Sequence, residues 1–166
     1  MYERGMFSQA INLAVRGIEI AGGLNGDNRL LLADLWTTVG GSQLEDPMMF
    51  HDGFDSLEMA LKLRKDASED GLIDPAHPQL ANSYMSLGGA ATGIGRYRDA
   101  VSLGKRSVDL RKDREEEQLQ MLAMSHHNIG LAWLALNELE EADTALKKAL
   151  ILIGQSNRSM LPEQQL

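Results

Sequence analysis

The chain has 166 residues and a formal net charge of -8, with 43% hydrophobic residues and no cysteine. Such a length fits one domain or one short repeat array, and the missing thiols exclude a disulfide framework and a thiolate metal site. The acidic balance argues against a nucleic-acid surface, which needs clustered Lys and Arg, and no apolar run approaches the roughly 18 residues of a membrane span.

Leu and Ala together supply 43 residues and Val only four, a balance that favours helix over strand. If the segments between Pro47, Pro75, Pro78 and Pro162 are helices, every proline falls in a connection or a tail, where its missing N–H does no harm. The N-terminus MYERGMFSQA has neither a basic region nor a long apolar core, so no secretory signal is visible and a cytoplasmic location is expected.

The first predicted element is a helix from Phe7 to Ile20, inside a partial unit spanning 1–22. A shift of 90 overlays Gly5 on Gly95, Phe7 on Tyr97, Ala10 on Ala100 and Arg16 on Arg106. Only MYERGM precedes Phe7, so this unit is expected to lack almost all of a first helix. The second unit, 30–66, carries LADLWTTVGGS from Leu32, which overlays LANSYMSLGGA from Leu80 at a shift of 48. It is irregular: SQLEDPMMFHDG needs one extra residue and puts Pro47 in the turn, and the exit KDASEDGLIDPAHP is long.

The third unit, 78–112, shows one apolar stripe in Leu80, Tyr84, Leu87 and Ala91 and another in Tyr97, Ala100, Val101, Gly104 and Val108. Two such stripes around a short turn predict a helical hairpin, with Gly95 ending its first helix. The fourth unit, 115–154, follows at a shift of 42: Ala81 meets Ala123, Gly88 meets Gly130, Ala100 meets Ala142 and Leu110 meets Leu152. A polar tail, 155–166, is expected to fray or to lead into something further. Since 48 plus 42 is 90, the shifts agree, and periods of this size predict stacked helix pairs that cover one another's apolar sides.

The glycine-rich stretch LGGAATGIGRYRDAVSLGK could pass for a phosphate cradle. A dinucleotide fingerprint needs a strand before its glycines, and none precedes Leu87. A P-loop would need Gly at Asp99 and Ser or Thr at Arg106. Gly88 and Gly104 are therefore packing positions, and no cofactor is expected.

Tyr84, Leu87-Gly88, Gly95, Tyr97 and Ala100, repeated as His126, Ile129-Gly130, Trp133, Asn137, Leu139 and Ala142, resemble the tetratricopeptide repeat. The 42-residue period and the segment DPAHPQLA resemble the longer repeats of kinesin light chains. Similar arrays occur in fungal and bacterial regulatory proteins, including the C-terminal parts of some NACHT or NB-ARC signalling ATPases. The resemblance implies an all-α right-handed superhelix, an α-solenoid of about three and a half units of antiparallel helix pairs. It also implies a non-catalytic scaffold binding a protein or peptide partner in a concave groove lined by the first helices.

By register that groove takes Asp34, Thr37, Thr38, Gly41, Leu44 and Glu45 from unit two. Unit three adds Asn82, Met85, Ser86, Gly89, Thr92 and Gly93, and unit four adds Met124, His127, Asn128, Leu131 and Ala135. The candidate contacts are Thr37, Gly41, Asn82, Met85, Ser86, Gly89, His127, Asn128 and Leu131. None is Lys or Arg, so a charge-assisted carboxylate clamp is not expected, nor are the acidic-tryptophan motifs that kinesin light chains accept. Gly41 and Gly89 would each cost the helix about 1 kcal/mol relative to Ala, which suits close approach of a partner backbone or simple repeat drift.

The remaining features read as structural. His126 and His127 point about 100° apart on a helix and cannot share an ion; His126 is expected to fill the aromatic slot, and no metal site is predicted. His77 before Pro78 sets the start of a helix. The runs Glu138–Asp143 and Arg111–Glu117 read as solvated faces. No catalytic constellation stands out. The ends differ: the first helix lacks its partner and the last finishes in ALILIG, so association through uncovered ends, including a homo-oligomer, is the alternative expectation.

Overall fold

The computed structural model describes residues 2–114 and 116–159, which form seven α-helices and no strand. They are α1 (Tyr2–Gly22), α2 (Arg29–Gln43), α3 (Phe50–Glu69), α4 (Pro78–Gly93), α5 (Tyr97–Asp109), α6 (Leu119–Ala135) and α7 (Leu139–Ser159). Packing follows chain order, α1 on α2, α2 on α3 and so on to α7, with α4 also touching α6. Each helix thus meets its neighbours in sequence, as a stacked array requires. Pairs α2–α3, α4–α5 and α6–α7 are the three complete hairpins.

Local chemistry sets the helix ends. Asp27 precedes α2 and accepts the Arg29 backbone N–H through Oδ1 at 3.1 Å. Its hydrogen bonds from the Arg29 guanidinium and backbone pull the Asp27 carboxyl down to about 2. His77 caps α4 by accepting the Gln79 N–H at Nδ1 (3.2 Å), with Pro78 in the first turn. After α4, Gly95 takes φ +80° and the Arg96 N–H reaches back to the Ala91 carbonyl at 2.8 Å. Forty-two residues on, Asn137 takes φ +61° and the Glu138 N–H reaches Trp133, so the same turn recurs with Asn in place of Gly.

The small residues hold the hairpins together. A Cβ on Gly40 would lie 2.9 Å from the Gly53 carbonyl, one on Gly88 3.3 Å from that of Ala100, and one on Gly130 3.5 Å from that of Ala142. One register contact therefore recurs in all three hairpins. Gly104 does the same work between units, since its Cβ would meet Ile129 Cγ1 at 2.5 Å. Around these contacts Phe54, Leu57, Leu61, Leu80, Leu87, Val101 and Ala132 form a core that runs through α3, α4, α5 and α6. A second cluster of Leu122, Ala123 and Leu152 extends it to α7.

Three expected boundaries move. Helix α1, expected from Phe7 to Ile20, runs from Tyr2 to Gly22, so the segment before Phe7 is continuous with it rather than the remnant of a separate first helix. Helix α3 continues past residue 66 to Glu69 because Ala67 is fully buried, so its last turn contributes packing. Helix α7 continues past residue 154 to Ser159, and Ser156 is buried, so the first part of the expected tail is helical. Pro162 and the rest of that tail lie outside the described residues.

Candidate functional site

The nine candidate contacts lie on α2, α4 and α6, the first helices of their hairpins. Where α4 meets α6, Asn128 Nδ2 comes within 3.5 Å of the position a Gly89 side chain would take, so these two helices share one wall. Ser86, Gly89 and Asn128 are half-buried on it, and His127 and Leu131 are exposed. On α2, Gly41 is exposed with open space where a side chain would be.

Met85 departs from the expectation. It is buried at 8% exposure. It supports the wall rather than presenting a contact.

Thr37 and Asn82 are half-buried and already engaged, each by an arginine that sequence reasoning missed. Arg64 of α3, only 4% exposed, donates from Nη1 to Thr37 Oγ1 (3.0 Å) and Ser83 Oγ (2.6 Å), and from Nη2 to Asp34 Oδ1 (2.5 Å). Arg111, just past α5 and 1% exposed, donates to the Ser107 carbonyl (3.0 Å), Ser107 Oγ, Asn82 Oδ1 and Gln118 Oε1 (3.2 Å). Each guanidinium ties the first helix of its own hairpin to the segment that opens the next.

The surface positions are free of Lys and Arg as expected, yet two cations lie directly beneath them. Asp34 supplies a carboxylate to Arg64; the four acceptors of Arg111 are neutral. Burial pushes the Arg111 guanidinium down to about 10, which leaves it cationic at neutral pH. The signal was present in the sequence: Arg64 and Arg111 stand 47 apart and their acceptors Asp34 and Asn82 48 apart.

The second-helix side holds a larger hollow. Between α5 and α7, a cavity of about 760 Å³ is lined by Lys105, Val108, Ile129, Trp133, Glu141 and Ala145, among others. His126 lines it half-buried, as Tyr84 lines the corresponding crevice one unit earlier. The Lys105 ammonium sits 5.5 Å from the Trp133 ring centroid. Among the described residues there is no cluster of His, Asp and Glu able to hold a metal ion, and no helix long and apolar enough to cross a membrane.

Hairpins stacked in sequence order and joined through small residues define an all-α solenoid with a fold like that of tetratricopeptide repeats. Among solved structures the chain is similar to BtubC (BKLC) from P. vanneervenii, with a TM-score of 0.76 and 18% identity. The likeness covers 98% of this chain and 59% of that one, and it concerns the fold alone. The sequence matches no protein-family model and no curated protein.

Proposed function

We propose that the array is a non-catalytic protein-interaction scaffold that holds a partner peptide or helix along the wall of α2, α4 and α6, in the cytoplasm. The observation that carries this reading is the junction at Gly89 and Asn128, which joins two first helices into one surface with Ser86, His127 and Leu131 facing outward. The 42-residue period and the likeness to BtubC support placing the repeats with the kinesin-light-chain-like ones. Amide and hydroxyl groups on the wall would hold a partner backbone, and Leu131 and the half-exposed Met124 would hold its apolar side chains.

A peptide library selected on the full chain tests this. Selected peptides should lose about tenfold or more in affinity to Leu131→Asp or Ser86→Arg, a loss of roughly 1.4 kcal/mol. The circular-dichroism melts of both variants should match that of the parent. Selected peptides that bind both variants unchanged would overturn the reading.

The exposed apolar residues at the two ends favour a second role. Leu13 and Ile20 on α1 and Leu150 and Ile151 on α7 are each more than half exposed. In that reading the chain is an assembling or sensing segment of a larger signalling protein of the NACHT or NB-ARC type.

A further inference from the structure

We propose that the cavity between α5 and α7 is a separate site that takes a basic side chain, arginine in particular, carried on an apolar segment of a protein partner. At about 760 Å³ it lies within the range of formed ligand sites. Ile129 and Trp133 of α6 form its floor, with Val108 and Ala145 on the walls.

The repeat register explains why the hollow opens here. The matching crevice one unit earlier, between α3 and α5, is lined by Leu61, Tyr84, Leu87 and Leu103 and measures about 330 Å³. A shift of 42 carries Tyr84 onto His126 and Leu103 onto Ala145, so two large side chains give way to smaller ones, while Ala91 becomes Trp133 and supplies the ring. The same shift carries Arg96 onto Glu138 and Arg98 onto Glu140, while Asp99 becomes Glu141. Enlargement at these two positions thus coincides with two carboxylates, Glu140 and Glu141, at the start of α7.

Trp133 already accepts a cation, since the Lys105 ammonium lies over its ring at 5.5 Å. Lys105 is exposed and can return to water. A planar, weakly hydrated guanidinium suits that ring better, and its N–H fork suits carboxylates. Glu140 and Glu141 in the first turn of α7 line the cavity together with Trp133 near the end of α6. Asp109, His126 and Lys148 complete the charged and titratable groups around the cavity. The net charge of -8 favours a basic partner at long range.

The test uses the full chain with Trp36→Phe, leaving Trp133 as the sole tryptophan reporter. The probes are a short blocked peptide with arginine between two leucines, its citrulline twin and its glutamate twin. The arginine peptide should change the fluorescence saturably, and its twins should bind about tenfold more weakly. Lys105→Gln should tighten the arginine peptide by removing a competitor, and paired Glu140→Gln and Glu141→Gln should weaken it. Ala145→Leu, which restores the residue of the preceding unit, should abolish binding with the melt preserved, and Leu131→Asp should leave it intact. No saturable response, equal binding of the three peptides, weaker binding with Lys105→Gln, or persistence in Ala145→Leu would each overturn the proposal.

Discussion

Gly40 and Gly41 are neighbours in the sequence with opposite physical roles. A methyl group on Gly40 would sit 2.7 Å from Leu57 Cγ and 2.9 Å from the Gly53 carbonyl, and a facing backbone cannot step aside without moving α3. Gly40→Ala should therefore cost roughly 1–3 kcal/mol of stability through overpacking. Gly41 meets nothing within 4 Å, so Gly41→Ala should stabilise the chain by up to about 1 kcal/mol through helix propensity alone. Urea denaturation of the two variants beside the parent reads both signs, and a destabilised Gly41→Ala would refute the assignment of open space. The packing role of the first glycine was legible in the sequence, because Gly40, Gly88 and Gly130 recur in register. The exposure of its neighbour was legible only as a groove position, since period and spacing carry no information on what lies opposite.

At the scale of the element, the helix pairs are joined by polar groups as much as by apolar ones. Ser107 Oγ meets the Ala81 carbonyl and Ser125 Oγ, both at 3.0 Å, and Arg111 closes the network across the junction of α4, α5 and the start of α6. An arginine buried without a carboxylate is retained here because its fork satisfies several acceptors at once. Lysine has one nitrogen and cannot span Asn82, Ser107 and Gln118 together. Arg111→Lys should lower stability by roughly 1–3 kcal/mol by leaving buried acceptors unpaired, with helix content in circular dichroism retained. A melt equal to that of the parent would show that the network contributes nothing. Helix number, order and pairing followed from apolar spacing and proline positions. Arg64 and Arg111 did not, because a charged residue near the end of an amphipathic helix reads as solvated until the next unit is laid over it. Met85 misled for the same reason in reverse: its register faces the groove, but a long side chain can turn back under the wall.

At the scale of the whole chain, the outermost helices α1 and α7 carry apolar residues that lie exposed. The shift of 90 carries Leu103 and Leu110 onto Leu13 and Ile20; the first pair packs against the core, and the second pair is 68% and 65% exposed. At the other end, the shift of 42 carries Val108 and Arg111 onto Leu150 and Ile153, which are 69% and 44% exposed. These outer helices thus expose positions that the middle of the array covers at least in part. Fully burying one such leucine or isoleucine is worth about 1.5–3 kcal/mol, so a handful at each end suffices for micromolar self-association after the cost of bringing two chains together. Because α7 and α1 are both second helices, stacking one directly on the other leaves out the first helix that should lie between them. The expected contact is therefore reversible and weaker than the junctions within the chain. Light scattering across concentrations from about 1 to 100 µM should show the mean mass rising, with a dissociation constant in that range. Leu13→Lys combined with Leu150→Lys should hold the chain at monomer mass without lowering its melting temperature, since neither side chain contributes to the core. A parent chain that stays monomeric throughout, with α1 folded, would leave the wall of first helices as the basis for partner binding and remove assembly through the ends.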